Sequence, residues 1–182
     1  TQRGRGSEHY QWNVDIWGMN GVEADAELLS VLVQFFHSVG LKSEDLVIRI
    51  SSRKVLEEVL GSLAIEGEIF AQTCVIVDKM DKLPEDVIQA QLSDLGLSSD
   101  SVSTILSVLG ITDLDSLSSA LNSDSEALIE LQSLFSLCES YGISDWVSFD
   151  ASVVRGLAYY TGPVFEAHDR AGNLRAICGG GR

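Results

Sequence analysis

The chain is 182 residues long and 45% hydrophobic, which suits one good-sized domain, or a domain with an insertion, and excludes global disorder. No apolar run approaches the roughly 20 residues needed to span a bilayer, and the opening "TQRGRGSEHYQ" lacks the apolar core of a signal peptide; no membrane partner is expected. The formal charge of −15, with no lysine or arginine from Leu83 to Val154, argues against binding nucleic acid through the middle of the chain, where phosphates would be repelled.

In chain order, "HYQWNVDIW" alternates. Tyr10, Trp12, Val14 and Ile16 fall on one face and Gln11, Asn13 and Asp15 on the other, the period of a strand. The turn "GMNG" follows. "VEADAELLSVLVQFFHSVG" then places Leu28, Val31, Leu32, Phe35 and Val39 on one helical face, with Gly40 as the stop. "LVIRI" predicts a short buried strand, and "SSRKVLEEVLGSL" a helix with serine at its cap. Near Lys79 the composition turns to Leu, Ser and Asp with helical spacing, and Ser98-Ser99-Asp100 and Ser123-Asp124-Ser125 fit N-caps of successive short helices. Residues 79–141 are therefore expected to form an all-helical insertion of plausible subdomain size. After it, "WVSFD" predicts a short strand. "GPVFEAHDRAGNLRAICGGG" predicts a hairpin turning at "DRAGN", with Gly172 suited to positive φ and Pro163 opening the first strand.

The three cysteines, Cys74, Cys138 and Cys178, are far apart and lack CxxC spacing. This reads as reduced thiols of an intracellular protein. His9, His37 and His168 are equally scattered, so no metal site is expected. The charge is unevenly spread: from Leu83 to Val154 there is no lysine or arginine, whereas Arg3, Arg5, Arg155, Arg170, Arg175 and Arg182 lie towards the ends. If the ends meet in space, they form a basic pocket in an acidic protein.

Three stretches carry candidate chemistry. Gln11 and Asp15 share the polar face of the first predicted strand, either as a solvated sheet face or as acceptors for an ammonium group and an imidazole N–H. Arg155 precedes Gly156, with Tyr159 and Tyr160 close behind. A surface arginine is one reading. The other is a guanidinium that grips two oxyanions while the glycine lets a planar ligand approach, with Tyr160 offering a phenol to a polar ring. "ICGGGR" opens no helix and is neither a P-loop nor a dinucleotide fingerprint. It is a flexible turn, or bare strand backbone against which something packs flat.

Together "GRGSEHYQWNVDIWG", "VVRGLAYYTGPVFE" and "RAICGGGR" resemble the second class II motif, the histidine-specific segment and the glycine-rich strand of histidyl-tRNA synthetases, a class II aminoacyl-tRNA synthetase family. The wording of "EHYQWN" and "RAICGGGR", with Ala158, is similar to the plant and plastid-type branch. The resemblance covers essentially the whole chain. It implies an α+β fold, a class II antiparallel sheet flanked by helices with an all-helical insertion. The catalytic core would comprise residues 1–78 and 142–182, separated by the insertion at 79–141. It also implies a fragment truncated at both ends and inactive alone, with the first class II motif before Thr1, and the third motif and the anticodon-binding domain beyond Arg182.

The function implied is ATP-dependent activation of L-histidine, with Mg2+ accompanying ATP, and transfer to tRNA(His) by a homodimer in a plastid or mitochondrion, the cytoplasm being the alternative. By this resemblance Gln11 and Asp15 contact the histidine ammonium and imidazole, and Tyr160, with Tyr159, meets the imidazole. Gly179 and Gly180 form a flat wall, and Arg5 approaches the ATP phosphates. Arg155 bridges the histidine carboxylate and the ATP α-phosphate as the catalytic residue. One departure is Ser7, where the family usually has a further arginine. A helical insertion without lysine or arginine should add little phosphate contact to tRNA. The alternative within the resemblance is a non-catalytic regulatory subunit or sensor domain that keeps the fold and binds histidine; the alternative outside it is an acidic interaction module with no ligand.

Overall fold

The computed structural model describes residues 8, 10–80, 83–154 and 159–182. Its centre is strand β1 (Leu46–Ser52), buried along its length except at Arg49. Burying side chains such as Leu46, Ile48 and Ile50 contributes about 2 kcal/mol each. β2 (Val147–Phe149) pairs parallel to β1 on one side, and β3 (Pro163–Asp169) antiparallel on the other. β4 (Cys178–Gly181) pairs antiparallel to β3, so the sheet order is β2-β1-β3-β4. The predicted hairpin is β3–β4. Its turn holds Gly172 at φ +69°, and the Asp169 carboxylate accepts from the Asn173 and Leu174 amides at 2.9 Å.

Helix α1 (Val22–Ser38) ends just before Gly40, whose φ is +89°. Its buried stripe is not the predicted one. Ala26, Leu29, Val33 and Phe36 face the core, whereas Leu28, Val31 and Leu32 are half-buried and Phe35 and Val39 are exposed. The helix has two apolar stripes, and small Ala24 and Ala26 mark the one that approaches the sheet. β1 runs directly into α2 (Arg53–Ser62), where Ser52 accepts from the Lys54 amide as predicted.

α3 (Gly67–Val77) was not signalled, because Glu66 at its N-cap makes no side-chain cap bond. α4 (Glu85–Asp94), α5 (Ser99–Leu109), α6 (Leu114–Ala120) and α7 (Glu126–Ser140) follow. Ser98 caps α5 and Ser125 caps α7, each accepting from the amide three residues on at 3.1 and 3.0 Å. Asp113 caps α6 in the same way at 2.7 Å. α7 packs against α1, α2 and β1, with Leu131, Leu134 and Cys138 fully buried. Burial pushes the Cys138 thiol up to about 11, an inert packed cysteine.

The first predicted strand is a correction. Residues 10–17 are irregular, with Tyr10, Trp12 and Trp17 exposed. Alternation produces a strand only where a neighbouring strand takes up the backbone donors and acceptors, and none of the described strands pairs with this segment. No helix among the described residues is long and apolar enough to cross a membrane.

Because α7 packs against several elements, α1, α2 and β1 among them, packing losses there should exceed capping losses. Leu131→Ala is expected to cost about 3 kcal/mol and Ser125→Ala about 1 kcal/mol in urea unfolding; the reverse order would contradict this packing.

Candidate functional site

A cavity of about 410 Å³ lies between the irregular segment after Tyr10, α1, the tyrosine pair and the β3–β4 hairpin. Its volume is that of a small-molecule site. One wall is β4 from Cys178 to Gly181 with Arg182 beyond it, another is the Ala24–Leu32 side of α1, and Trp12 to Ile16 with Met19 covers the front. The half-buried stripe of α1 is thus explained: Leu28, Val31 and Leu32 line the cavity, Leu32 while also packing against the core. Trp12 leans on Phe35, ring centres 5.1 Å apart.

Of the residues singled out in the sequence, Asp15, Tyr159, Tyr160, Gly179 and Gly180 come together around this cavity. Gln11 is exposed and does not line it. Arg5 and Arg155, together with Ser7, lie outside the described residues. Tyr159 and Tyr160 stack edge to face, 5.2 Å apart at 83°. Tyr159 is 82% exposed, while Tyr160 is half-buried against the strand.

The glycines of β4 allow this closeness. A Cβ on Gly180 would stand 2.9 Å from the tip of the Phe165 ring. One on Gly181 would stand 2.8 Å from the Pro163 carbonyl oxygen and 3.0 Å from Tyr160. The run is therefore strand backbone under close approach, which resolves the alternative of a flexible turn.

The expected basic pocket is corrected among the described residues. Arg182 lines the cavity but is already bound: its Nε donates to Asp25 at 3.0 Å, its Nη2 to Glu130 and its Nη1 to the Asn20 carbonyl, both at 2.5 Å. Arg170 sits at the other end of β3 and donates to the Ser43 and Asp145 carbonyls at 2.6 and 2.9 Å. Arg175 is exposed in the β3–β4 connection and does not line the cavity.

The acidic side is more informative. Burial pushes the Asp25 carboxyl above its ordinary value despite the nearby Arg182. A carboxyl raised in the folded state binds more protons there than when unfolded. Its contribution to stability is therefore lost as pH rises from the ordinary value through the raised one. Asp15 forms no ion pair or side-chain hydrogen bond among the described residues, which leaves it the acceptor open to a cationic ligand.

Asp25, Phe165, Trp12 and Leu28 were not singled out as site residues in the sequence. The available signal was phase: Asp25 lies four residues before Leu29, a charged residue on the apolar side of a helix. Among the described residues no group of three or more His, Cys, Asp or Glu side chains is placed to hold a metal ion.

Comparison with known proteins adds a family. The family model described as histidyl-tRNA synthetase matches residues 1–182. The chain is 50% identical over 180 residues to the chloroplastic/mitochondrial histidine–tRNA ligase of Arabidopsis thaliana, covering 99% of this chain and 37% of that one. It is 37% identical over 184 residues to the histidine–tRNA ligase of Thermoplasma volcanium, covering 100% of this chain and 42% of the relative. The chain thus spans well under half the length of these relatives.

Among solved structures, histidyl-tRNA synthetase from Nostoc sp. PCC 7120 matches with a TM-score of 0.78 at 28% identity, over 90% of this chain and 40% of that one. A Bacillus halodurans protein described as an ATP phosphoribosyltransferase regulatory subunit/histidyl-tRNA synthetase gives the same TM-score, 0.78, at 22% identity, over 91% of this chain and 43% of that one. That likeness is one of fold alone.

The geometry of β4 makes its glycines unequal. Gly181→Ala meets a backbone carbonyl and is expected to cost about 1–3 kcal/mol by overpacking. Gly180→Ala meets a ring tip beside open cavity and should cost less. Urea midpoints of the two variants check the order.

Proposed function

The chain belongs to the histidyl-tRNA synthetase family, and from that premise we propose that the whole protein is a histidine–tRNA ligase. It activates L-histidine with ATP to histidyl-adenylate and transfers the histidine to tRNA(His). The observation that carries this reading is the convergence of Asp15, Tyr159, Tyr160, Gly179 and Gly180, from three separate stretches, on one cavity of ligand size.

In this reading Asp15, a carboxylate without a partner among the described residues, takes the histidine ammonium. Tyr160, with Tyr159 at its edge, meets the imidazole, and the glycine backbone of β4 is the flat wall. Gln11, four residues before Asp15, is an imidazole contact that movement of the same segment must bring in. Arg5 approaches the ATP phosphates.

The step itself is displacement at phosphorus. A carboxylate oxygen of histidine forms a bond to the α-phosphorus of ATP, the bond from that phosphorus to the bridging oxygen breaks, and pyrophosphate leaves with the electron pair. Arg155 bridges the carboxylate and the α-phosphate and stabilises the charge that builds there. Mg2+ arrives with ATP, as part of the substrate rather than on a protein cradle.

We further propose that residues 1–78 and 142–182 form the two parts of the catalytic core around a helical insertion at 79–141, and that the intact protein is a homodimer. A plastid or mitochondrial location is supported by the name of the Arabidopsis relative. The insertion, without lysine or arginine from residue 83 to 154, contributes little to tRNA phosphate contact.

The test is histidine-dependent ATP–pyrophosphate exchange by the whole protein and its Arg155→Ala variant. Exchange by the wild type, reduced about 10²–10³-fold in the variant as for loss of an oxyanion donor, is the expected result. A folded wild type that binds histidine without exchange would point instead to a regulatory paralogue.

A further inference from the structure

We propose that Arg53 and Arg182 are positioning residues that staple the Tyr160–Pro163 turn between α2 and β4, and so set Tyr160 against the glycine wall of the cavity. The inference rests on the histidine-site reading for its functional consequence, though the staple itself is a matter of geometry.

From one side, Arg53 holds the turn twice. Its backbone N–H donates to the Gly162 carbonyl at 3.1 Å, and its Nη1 donates to the Tyr160 carbonyl at 3.2 Å. Its Nε meanwhile donates to Glu57, one helical turn along α2, at 2.6 Å, which fixes the guanidinium plane. A planar fork can serve two acceptors in different directions at once; a lysine ammonium on a flexible stem cannot reproduce that geometry.

From the other side, the backbone of Arg182 closes the turn. Its carbonyl accepts from the amides of Thr161 at 2.7 Å and Gly162 at 3.1 Å, and its own N–H donates to the Pro163 carbonyl at 3.0 Å. The two arginines therefore hold consecutive residues of the segment that carries Tyr160, and the missing side chain of Gly181 lets the ring lie close to the strand.

Arg182 is in turn fixed by charge. Asp25 of α1 and Glu130 of α7 take its guanidinium. Glu130 also faces Lys54 of α2 at 3.5 Å, and Lys54 reaches Glu126 at 2.5 Å. The second oxygen of Glu130 is buried without a hydrogen-bond partner among the described residues, so little but these cations offsets the burial of that carboxylate. The ladder Asp25–Arg182–Glu130–Lys54 thus ties three helices to the end of β4. Displacing a substrate-positioning group by about 1 Å can reduce a rate about 10²-fold, and here the group displaced would be Tyr160.

The test uses the whole protein with Arg53→Lys and Arg182→Lys, and Ile105→Ala in α5 as a destabilised control remote from the cavity. Amide hydrogen exchange of Thr161 and Gly162 reads the staple without reference to activity. Michaelis constants for histidine and ATP in pyrophosphate exchange read its consequence. Both arginine variants should speed exchange at these amides at least tenfold and raise the histidine constant about tenfold, with the ATP constant within twofold; Ile105→Ala should do neither. Unchanged amide exchange in both arginine variants, or histidine and ATP constants rising together, overturns the proposal. A wild type without histidine-dependent pyrophosphate exchange overturns the ligase reading instead, and amide exchange alone then decides the staple.

Discussion

The Arg182 guanidinium, held between Asp25 and Glu130, joins the sheet to the helices at the mouth of the cavity. Several elements around the cavity meet this contact: β4 ends there, α1 and α7 send a carboxylate each, and the turn behind Tyr160 hydrogen-bonds to the same residue's backbone. An ion pair taken largely out of water is a weak source of net stability, because desolvation offsets most of the Coulomb attraction. What it supplies is a fixed geometry. The raised Asp25 carboxyl expresses the same balance, with burial outweighing the neighbouring cation.

Such bonding decides how charge is distributed in the cavity. An arginine with two carboxylates on it has little left to offer an anion, so Arg182 shapes the wall instead of gripping phosphate. Asp25 is likewise committed. Asp15 alone among the described acidic lining residues has no cation of its own, and a cationic ammonium group is the ligand that suits it. The cavity is otherwise lined by aromatic rings, aliphatic side chains, Met19, Cys178, the Asn13 amide and bare glycine backbone, a surface whose flat glycine wall suits a planar ring.

Much of the fold was legible in the sequence. Gly40 marked the end of α1, Ser98 and Ser125 marked helix starts, Pro163 opened β3 and Gly172 turned the hairpin, each for a reason local to the backbone. The failures are where local rules end. Trp12 and Val14 alternate with polar neighbours as in a strand, yet a strand exists only through its partner. In α1 the large residues drew attention to Leu28 and Val31, whereas small Ala26 marks the face against the sheet. α3 lacks a capping side chain and so gave no start signal.

The cavity lining was legible where it depends on local chemistry, as at Asp15, Tyr160 and Gly180, and opaque where it depends on distance. Arg182 reads as a basic end from its sequence neighbours. Asp25 and Glu130, which neutralise it, lie 157 and 52 residues away, and nothing in the spacing brings them together.

The central claim is that this cavity holds histidine with its ammonium on Asp15. Equilibrium dialysis of radiolabelled histidine against the whole protein and its Asp15→Asn variant tests it most directly. The account predicts at least tenfold weaker binding by the variant, with unfolding by urea unchanged because Asp15 is exposed and unpaired among the described residues. Wild-type affinity in Asp15→Asn would contradict it.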